Sequence, residues 1–206
     1  SVYINLPSLN YYGDESSEVK YTLSTKYSQK INAKNTFSAG ITGEIYKVHY
    51  EDSVLTQDNE TYRKLSEAND ENMILFQSFA QLQHKFSQNL ILYGGLHFQY
   101  FTLNNSYSLE PRASLKWNFL PNHSLSIGAG VHSQLQPRLF YFTETYLPDG
   151  STTYTNHDLN FSKSNQLIVS YDYLINKDIR LKLEAYYQHL YQIPVTQNPT
   201  YYSAIN

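Results

Sequence analysis

Apolar and polar residues alternate with a period of two along most of the chain. Val19, Tyr21, Leu23 and Tyr27 alternate with Lys20, Thr22, Ser24 and Lys26. Leu125, Ile127, Ala129 and Val131 alternate with Ser126, Gly128, Gly130 and His132. The same rhythm recurs over 37–45, 74–86, 90–100, 109–119, 167–175 and 179–187. Period two marks a β-strand with one apolar and one polar face. It predicts eight strands of about 10–15 residues, longer than the ~5–6 of ordinary globular strands. Pro111 breaks the rule, because a proline belongs at a strand start or a bulge. Thr61–Ala68 is the only helix candidate, and it falls in an expected loop.

The connections alternate in length. Gln29–Asn35, Ser87–Asn89, Leu120–His123 and Asn176–Asp178 read as short turns. Residues 51–72 and 137–160 read as long loops, and Asn104–Tyr107 as a shorter connection on the same side. Within the second loop, Asp149-Gly150 predicts a type I′ turn at the tip of a hairpin over Phe140–Thr155. Residues 1–15 and 192–206 read as further loop on the long-loop side, with the strands spanning 16–191.

The polar face carries Lys, Arg, Glu, Gln, Ser, His and frequent Gly along whole strands. A β-sandwich would bury its apolar face on a second sheet and use short strands. A membrane barrel instead turns that face to lipid and keeps a polar interior. Aromatics cluster at both strand ends of the apolar face: Tyr27, Phe37, Phe86, Trp117 and Phe119 near the short turns, and Tyr100, Tyr187 and Tyr191 nearer the loops. Paired interfacial girdles give this arrangement, and so does ordinary β-propensity. The expected fold is therefore all-β, an antiparallel up-and-down meander of eight long strands. In hydrocarbon only a closed barrel satisfies every strand edge. The eight strands either close alone or form part of a barrel of about 22 strands.

Composition narrows the choice. Of the 206 residues 16% are aromatic, 21 of them Tyr, and only 16% are charged, against the ~25% usual in globular domains. Such a chain is not disordered. Its net charge of −3 argues against nucleic acid as a partner. With no Cys, disulfides and thiolate metal sites are excluded. No run nears the ~18 apolar residues of a membrane helix. Ser1-Val2-Tyr3 opens no signal peptide, and both chain ends read as positions inside a longer protein.

Three strings carry a family likeness. Glu110-Pro111-Arg112-Ala113-Ser114-Leu115-Lys116-Trp117 leads through a turn to Ser124-Leu125-Ser126-Ile127-Gly128-Ala129-Gly130-Val131-His132, continuing to Pro137. It resembles the barrel of TonB-dependent outer-membrane receptors, and most closely the subfamily that precedes its plug with a carboxypeptidase-regulatory-like domain. Tyr171–Tyr191 with Pro194 resembles the next hairpin of such barrels, and Lys30–Gly40 one of their periplasmic turns. The resemblance implies import of a bulky nutrient (siderophore, glycan, peptide or cobalamin) across the outer membrane of a Gram-negative bacterium. It implies as partners the outer-membrane lipid, a plug domain of the same protein, TonB, a surface lipoprotein and the nutrient itself. The plug, the TonB box and a terminal aromatic strand are not found in these residues.

Candidate chemistry is sparse. No HExxH, GxSxG or phosphate-cradling loop occurs, so no enzymatic role and no cofactor are expected. His97 and His132 share the polar face, either as hydrogen-bonded lumen residues or as a metal or ligand site. Glu44, Glu110, Asp172 and Glu184 are expected to pair with Arg112, Lys116, Arg180 and Lys182 across strands. The ligand-binding candidates are Arg138, Tyr141, Tyr146 and Tyr154 on the projecting loop, with Tyr11, Tyr12, Tyr201 and Tyr202 near the chain ends. Flat rings with polar tips suit sugars or peptides, although such rings also pack on one another. The rival readings are a self-contained eight-stranded outer-membrane barrel and a soluble carbohydrate-binding β-sandwich.

Overall fold

The period-two stretches form one eight-stranded antiparallel sheet in a computed structural model that describes residues 11–56 and 61–195. Its strands are β1 (Tyr12–Lys30), β2 (Asn35–Leu55), β3 (Tyr62–Lys85), β4 (Leu90–Phe101), β5 (Ser106–Leu120) and β6 (His123–Gln134), then β9 (Ser162–Leu174) and β10 (Arg180–Tyr191). The spatial order follows the chain, β1-β2-β3-β4-β5-β6-β9-β10. Between β6 and β9 lie a one-turn helix α1 (Arg138–Tyr141) and a small hairpin of β7 (Thr145–Tyr146) and β8 (Thr152–Thr153). The chain divides into two compact units. Unit 1 is Ser1–Tyr21, Ile45–Met73 and Pro137–Asp158; unit 2 is Thr22–Glu44, Ile74–Gln136 and Leu159–Asn206.

In unit 2 the ladders run in continuous register, so whole rows of side chains share a face. One row is Leu82, Gly94, Ala113, Ala129, Leu167 and Tyr187. The adjacent row, on the opposite face, is Gln81, Gly95, Arg112, Gly130, Gln166 and Gln188. Burial is inverted relative to a soluble domain. The apolar face is open, with Leu109 52%, Ile127 46% and Leu183 57% exposed. On the polar face Ser108 and Glu110 are 1% and 0% exposed.

Three short turns use one device. Asn32 Oδ1 accepts the backbone N–H groups of Lys34 and Asn35, both at 2.9 Å. Asn176 does the same for Asp178 and Ile179, and the Ser87 hydroxyl for Asn89 and Leu90. Asn and Ser dominate such turns because their side chains replace a backbone acceptor. Pro121-Asn122 joins β5 to β6 with Asn122 at φ 65°, the type II pattern. That turn splays its strands, and the β5–β6 register slips between Trp117 and Leu120. Pro111 lies inside β5 without a bulge, opposite Leu96. The β5–β6 ladder ends beside it, at Arg112–Gly130, where a missing N–H is tolerated.

Unit 1 corrects the expected 51–72 loop. There β2 continues to Leu55 and β3 begins at Tyr62. Thr56 N–H donates to the Thr61 carbonyl at 2.9 Å. The backbone keeps alternating, with Tyr46, Val48, Tyr50 and Asp52 all buried. Glu51, Arg63, Lys64, Glu67 and Asp70 put charge on both parities, so hydrophobic periodicity disappears although strand geometry does not. The helix candidate Thr61–Ala68 is therefore strand, and its Lys64–Glu67 pair closes at 2.5 Å along it. β1 likewise begins at Tyr12 rather than after residue 15. Lengths of 19, 21 and 24 residues for β1 to β3 exceed the expected 10–15.

The long β3 has a consequence for the 137–160 loop. Pairing with β4 stops at Leu75–Phe101, so the backbone groups of β3 before it need other partners. Loop residues 142–144 supply them. Glu67 N–H donates to the Phe142 carbonyl at 3.2 Å, and Glu144 N–H to the Leu65 carbonyl at 2.8 Å. The hairpin tip differs from the expected type I′ turn, which needs two successive positive φ values. Only Gly150 has one, at 84°. Its N–H donates to the Leu147 carbonyl at 3.0 Å, with Pro148 at the position that favours proline in a type I turn.

Candidate functional site

The polar face of unit 2 holds a concavity of about 630 Å³ whose lining includes Gln81, Tyr93, His97, Arg112, His132 and Gln166. Its floor is open because glycine stands beside arginine. Gly95 and Gly130 are the two cross-strand partners of Arg112. A Cβ at residue 130 would stand 3.0 Å from Arg112 Cγ. The arginine stem therefore lies against Gly130, where no side chain stands in its way.

Beneath it Glu110 is fully buried. Its Oε1 accepts the Gln99 amide at 2.5 Å and the Ser133 hydroxyl. Its Oε2 accepts Arg112 Nη2 and lies 3.2 Å from His97 Nδ1. A buried carboxylate is stable only when its lone pairs are filled, and four donors fill these. A carboxylate has no proton to give, so Nδ1 of His97 is the donor and its Nε2 end is left for the concavity. Asp172 pairs with Arg180 across strands, as expected, whereas Glu110 pairs with Arg112 along its own strand. Lys182 likewise pairs with Glu184 at 2.6 Å along its own strand.

Ser133 of this network and Phe79 in the lining of the concavity both escaped the alternation. Strict period two puts Ser133 on the apolar face, since Gly130 and His132 are on the polar one. Where the β5–β6 ladder ends, however, its hydroxyl reaches Glu110 and its carbonyl takes the Gln99 amide at 3.2 Å. Phe79 is an aromatic on the polar face, and its ring lies on Gly40. A Cβ there would be 2.5 Å from Phe79 Cε1 and 2.8 Å from the Thr25 carbonyl. Among the described residues no group of three or more His, Asp or Glu could hold a metal ion.

The loop candidates separate into different surroundings. Arg138 Nε lies 2.8 Å from Glu18 Oε2, a charge contact rather than an aligned hydrogen bond. Its guanidinium covers the Tyr46 ring at 4.6 Å. The Tyr50 hydroxyl donates to the same Glu18 carboxylate at 3.0 Å. Tyr141 is 0% exposed, which corrects its assignment as a capture residue: it lies on α1 with its ring inside unit 1. Tyr146 is partly exposed, but Arg63 sits 4.1 Å over its ring. Tyr154 offers a partly exposed ring. Burial raises its phenol pKa, and Glu144 and Glu67 add to the rise. Tyr11 and Tyr12 are exposed; Tyr201 and Tyr202 lie outside the described residues.

No protein-family model matches the chain. No curated protein does either. Among solved structures it is similar to the copper transporter OprC, with a TM-score of 0.59 and 13% identity. The match covers 86% of this chain and 31% of that one. The chain thus shares the fold of part of that structure, and it spans about a third of its length. No described helix is long and apolar enough to cross a membrane.

Proposed function

We propose that these residues are eight consecutive wall strands of a TonB-dependent outer-membrane transporter that imports a bulky nutrient. Transport, not catalysis, is the role assigned. The observation that carries the reading is the inverted burial: an open apolar face backed by a hydrogen-bonded polar one. A monomer in water rarely exposes so large an apolar patch; in lipid it is the required surface.

Dimensions support this reading. Trp117 and Phe119 lie 5.6 Å apart, and Phe119 stacks at 6.4 Å on Tyr171, near the short turns. Phe98 and Tyr107 stack at 6.4 Å near the other strand ends. Tyr107 and Trp117 stand ten residues apart on β5. At ~3.3 Å per residue that is about 33 Å of strand, or about 25 Å of membrane depth at the usual tilt, the height of a barrel's apolar band. We assign the spanning stretches to unit 2 and the charged stretches of unit 1 to water.

The self-contained barrel is disfavoured because β1 and β10 end the strand order among the described residues. The sandwich is disfavoured because the other described sheet is the two-stranded β7–β8 hairpin. Fractionation of source cells, blotted with an antibody to residues 137–160, tests the reading. A band well above 24 kDa in the outer membrane, shifting on boiling, is expected. A soluble band, or an outer-membrane band at 24 kDa, contradicts it.

A further inference from the structure

We infer that the concavity at Arg112 is a binding site for a carboxylate-bearing solute on the inner wall of the barrel. The inference rests on the transporter reading for its setting, and on the side chains for its chemistry.

Charge is the first argument. The acid nearest the concavity, Glu110, is 0% exposed and already accepts four donors. Arg112 keeps 45% of its side chain exposed. Its described bonds involve Nη2 alone; that nitrogen carries two N–H groups, so one of the two paired edges, Nη2 with Nη1 or Nη2 with Nε, stays open. A guanidinium fork matches a carboxylate with two parallel bonds.

The rim is the second argument. Gln81 and Gln166 lie in the Arg112 row, one beyond Gly95 and one beyond Gly130. Both line the concavity with Arg112, and only Gly95 and Gly130 separate them from it along the row. His132, two residues from Gly130 on the same strand face, adds a ring N–H. Glu110 fixes Arg112 from below, so the cation is positioned before a ligand arrives, which lowers the ordering cost of binding. A volume near 630 Å³ is in the range of small-molecule sites.

Isothermal titration of the full-length protein in detergent tests this, with citrate as the probe and its uncharged trimethyl ester as the control. Saturable citrate binding without ester binding is expected. In Arg112→Gln the dissociation constant should rise about tenfold or more, the scale of one lost charge-assisted pair. Boiling-dependent migration of each variant reports folding. Should Arg112→Gln fail to fold, Gln166→Leu removes one rim amide without touching Glu110 and should weaken citrate about threefold or more. Absence of citrate binding by folded wild type overturns the inference, whether the site is empty or filled by an acidic side chain of the protein itself. Equal binding of the ester, or unchanged affinity in the folded variants, also overturns it. Titration in micelles needs neither membrane location nor energy coupling. A soluble band on fractionation therefore sinks the transporter reading alone, and an absent titration sinks this one alone.

Discussion

Gly130 stands directly opposite Arg112 in the β5–β6 ladder, close enough that a Cβ on it would lie 3.0 Å from the arginine Cγ. Gly94, one residue from the matching glycine on β4, has nothing within 4 Å of its own Cβ position. The two positions therefore respond differently to the same change. Gly130→Ala must push the Arg112 stem away from its place over Glu110, at a cost of about 1–2 kcal/mol. Gly94→Ala should be neutral or slightly stabilising. Denaturant unfolding in micelles, run on both variants, checks the difference.

The two faces differ in their tolerance of charge. Ile127 is 46% exposed on the apolar face, opposite Leu115 and Val169. Ile127→Arg should cost about 2–4 kcal/mol in a bilayer, and Ile127→Leu almost nothing. Ser126→Gln, one residue away on the polar face, should also be near neutral. Folding yield into lipid vesicles checks all three.

Much of this was legible in the chain. Eight strands, their order and their two faces follow from period two, because the ladder imposes that period wherever one face is apolar and the other polar. The signal failed where that contrast between the faces ends. Over 51–72 both parities carry charge, so the end of β2 and the start of β3 looked like loop although these strands stay paired. That Glu110 and Arg112 share a face was legible; that they pair along β5 rather than across strands was not. Ser133 was not, because its turn toward Glu110 depends on a ladder that stops at Pro111. Tyr141 was misplaced for a related reason. An aromatic in a loop reads as exposed unless the segment that docks the loop, here 142–144 on β3, is known.

That docking makes Arg138 structural for the loop. Its charge contact with Glu18 and its place over Tyr46 hold α1. Both side chains are partly exposed, so the loss on Arg138→Ala is modest, about 1–2 kcal/mol locally. Hydrogen exchange at Glu67 and Glu144, whose amides bridge loop and strand, should accelerate while the β5–β6 ladder keeps its protection.

The hairpin tip should respond to acid. Asp149 Oδ1 accepts the Ser151 hydroxyl at 2.6 Å and its N–H at 3.0 Å. These bonds hold its carboxyl below the ordinary 3.8. A depressed pKa means that the contribution to stability is complete above 3.8 and is lost as pH falls through the lower, folded value. Protection of the Ser151 amide should therefore be constant at neutral pH and drop only in strong acid. Asp149→Ala should abolish that dependence.

Spin labels at two neighbouring positions test the assignment of the faces most directly. The segment has no Cys, so Ile127→Cys and Ser126→Cys each give one label within it. In the full-length protein reconstituted in lipid, the Ile127 label should be relaxed by oxygen, which concentrates in hydrocarbon. The Ser126 label should be relaxed instead by a water-soluble nickel complex. Labels at both positions relaxed equally by the nickel complex would contradict a lipid-facing sheet.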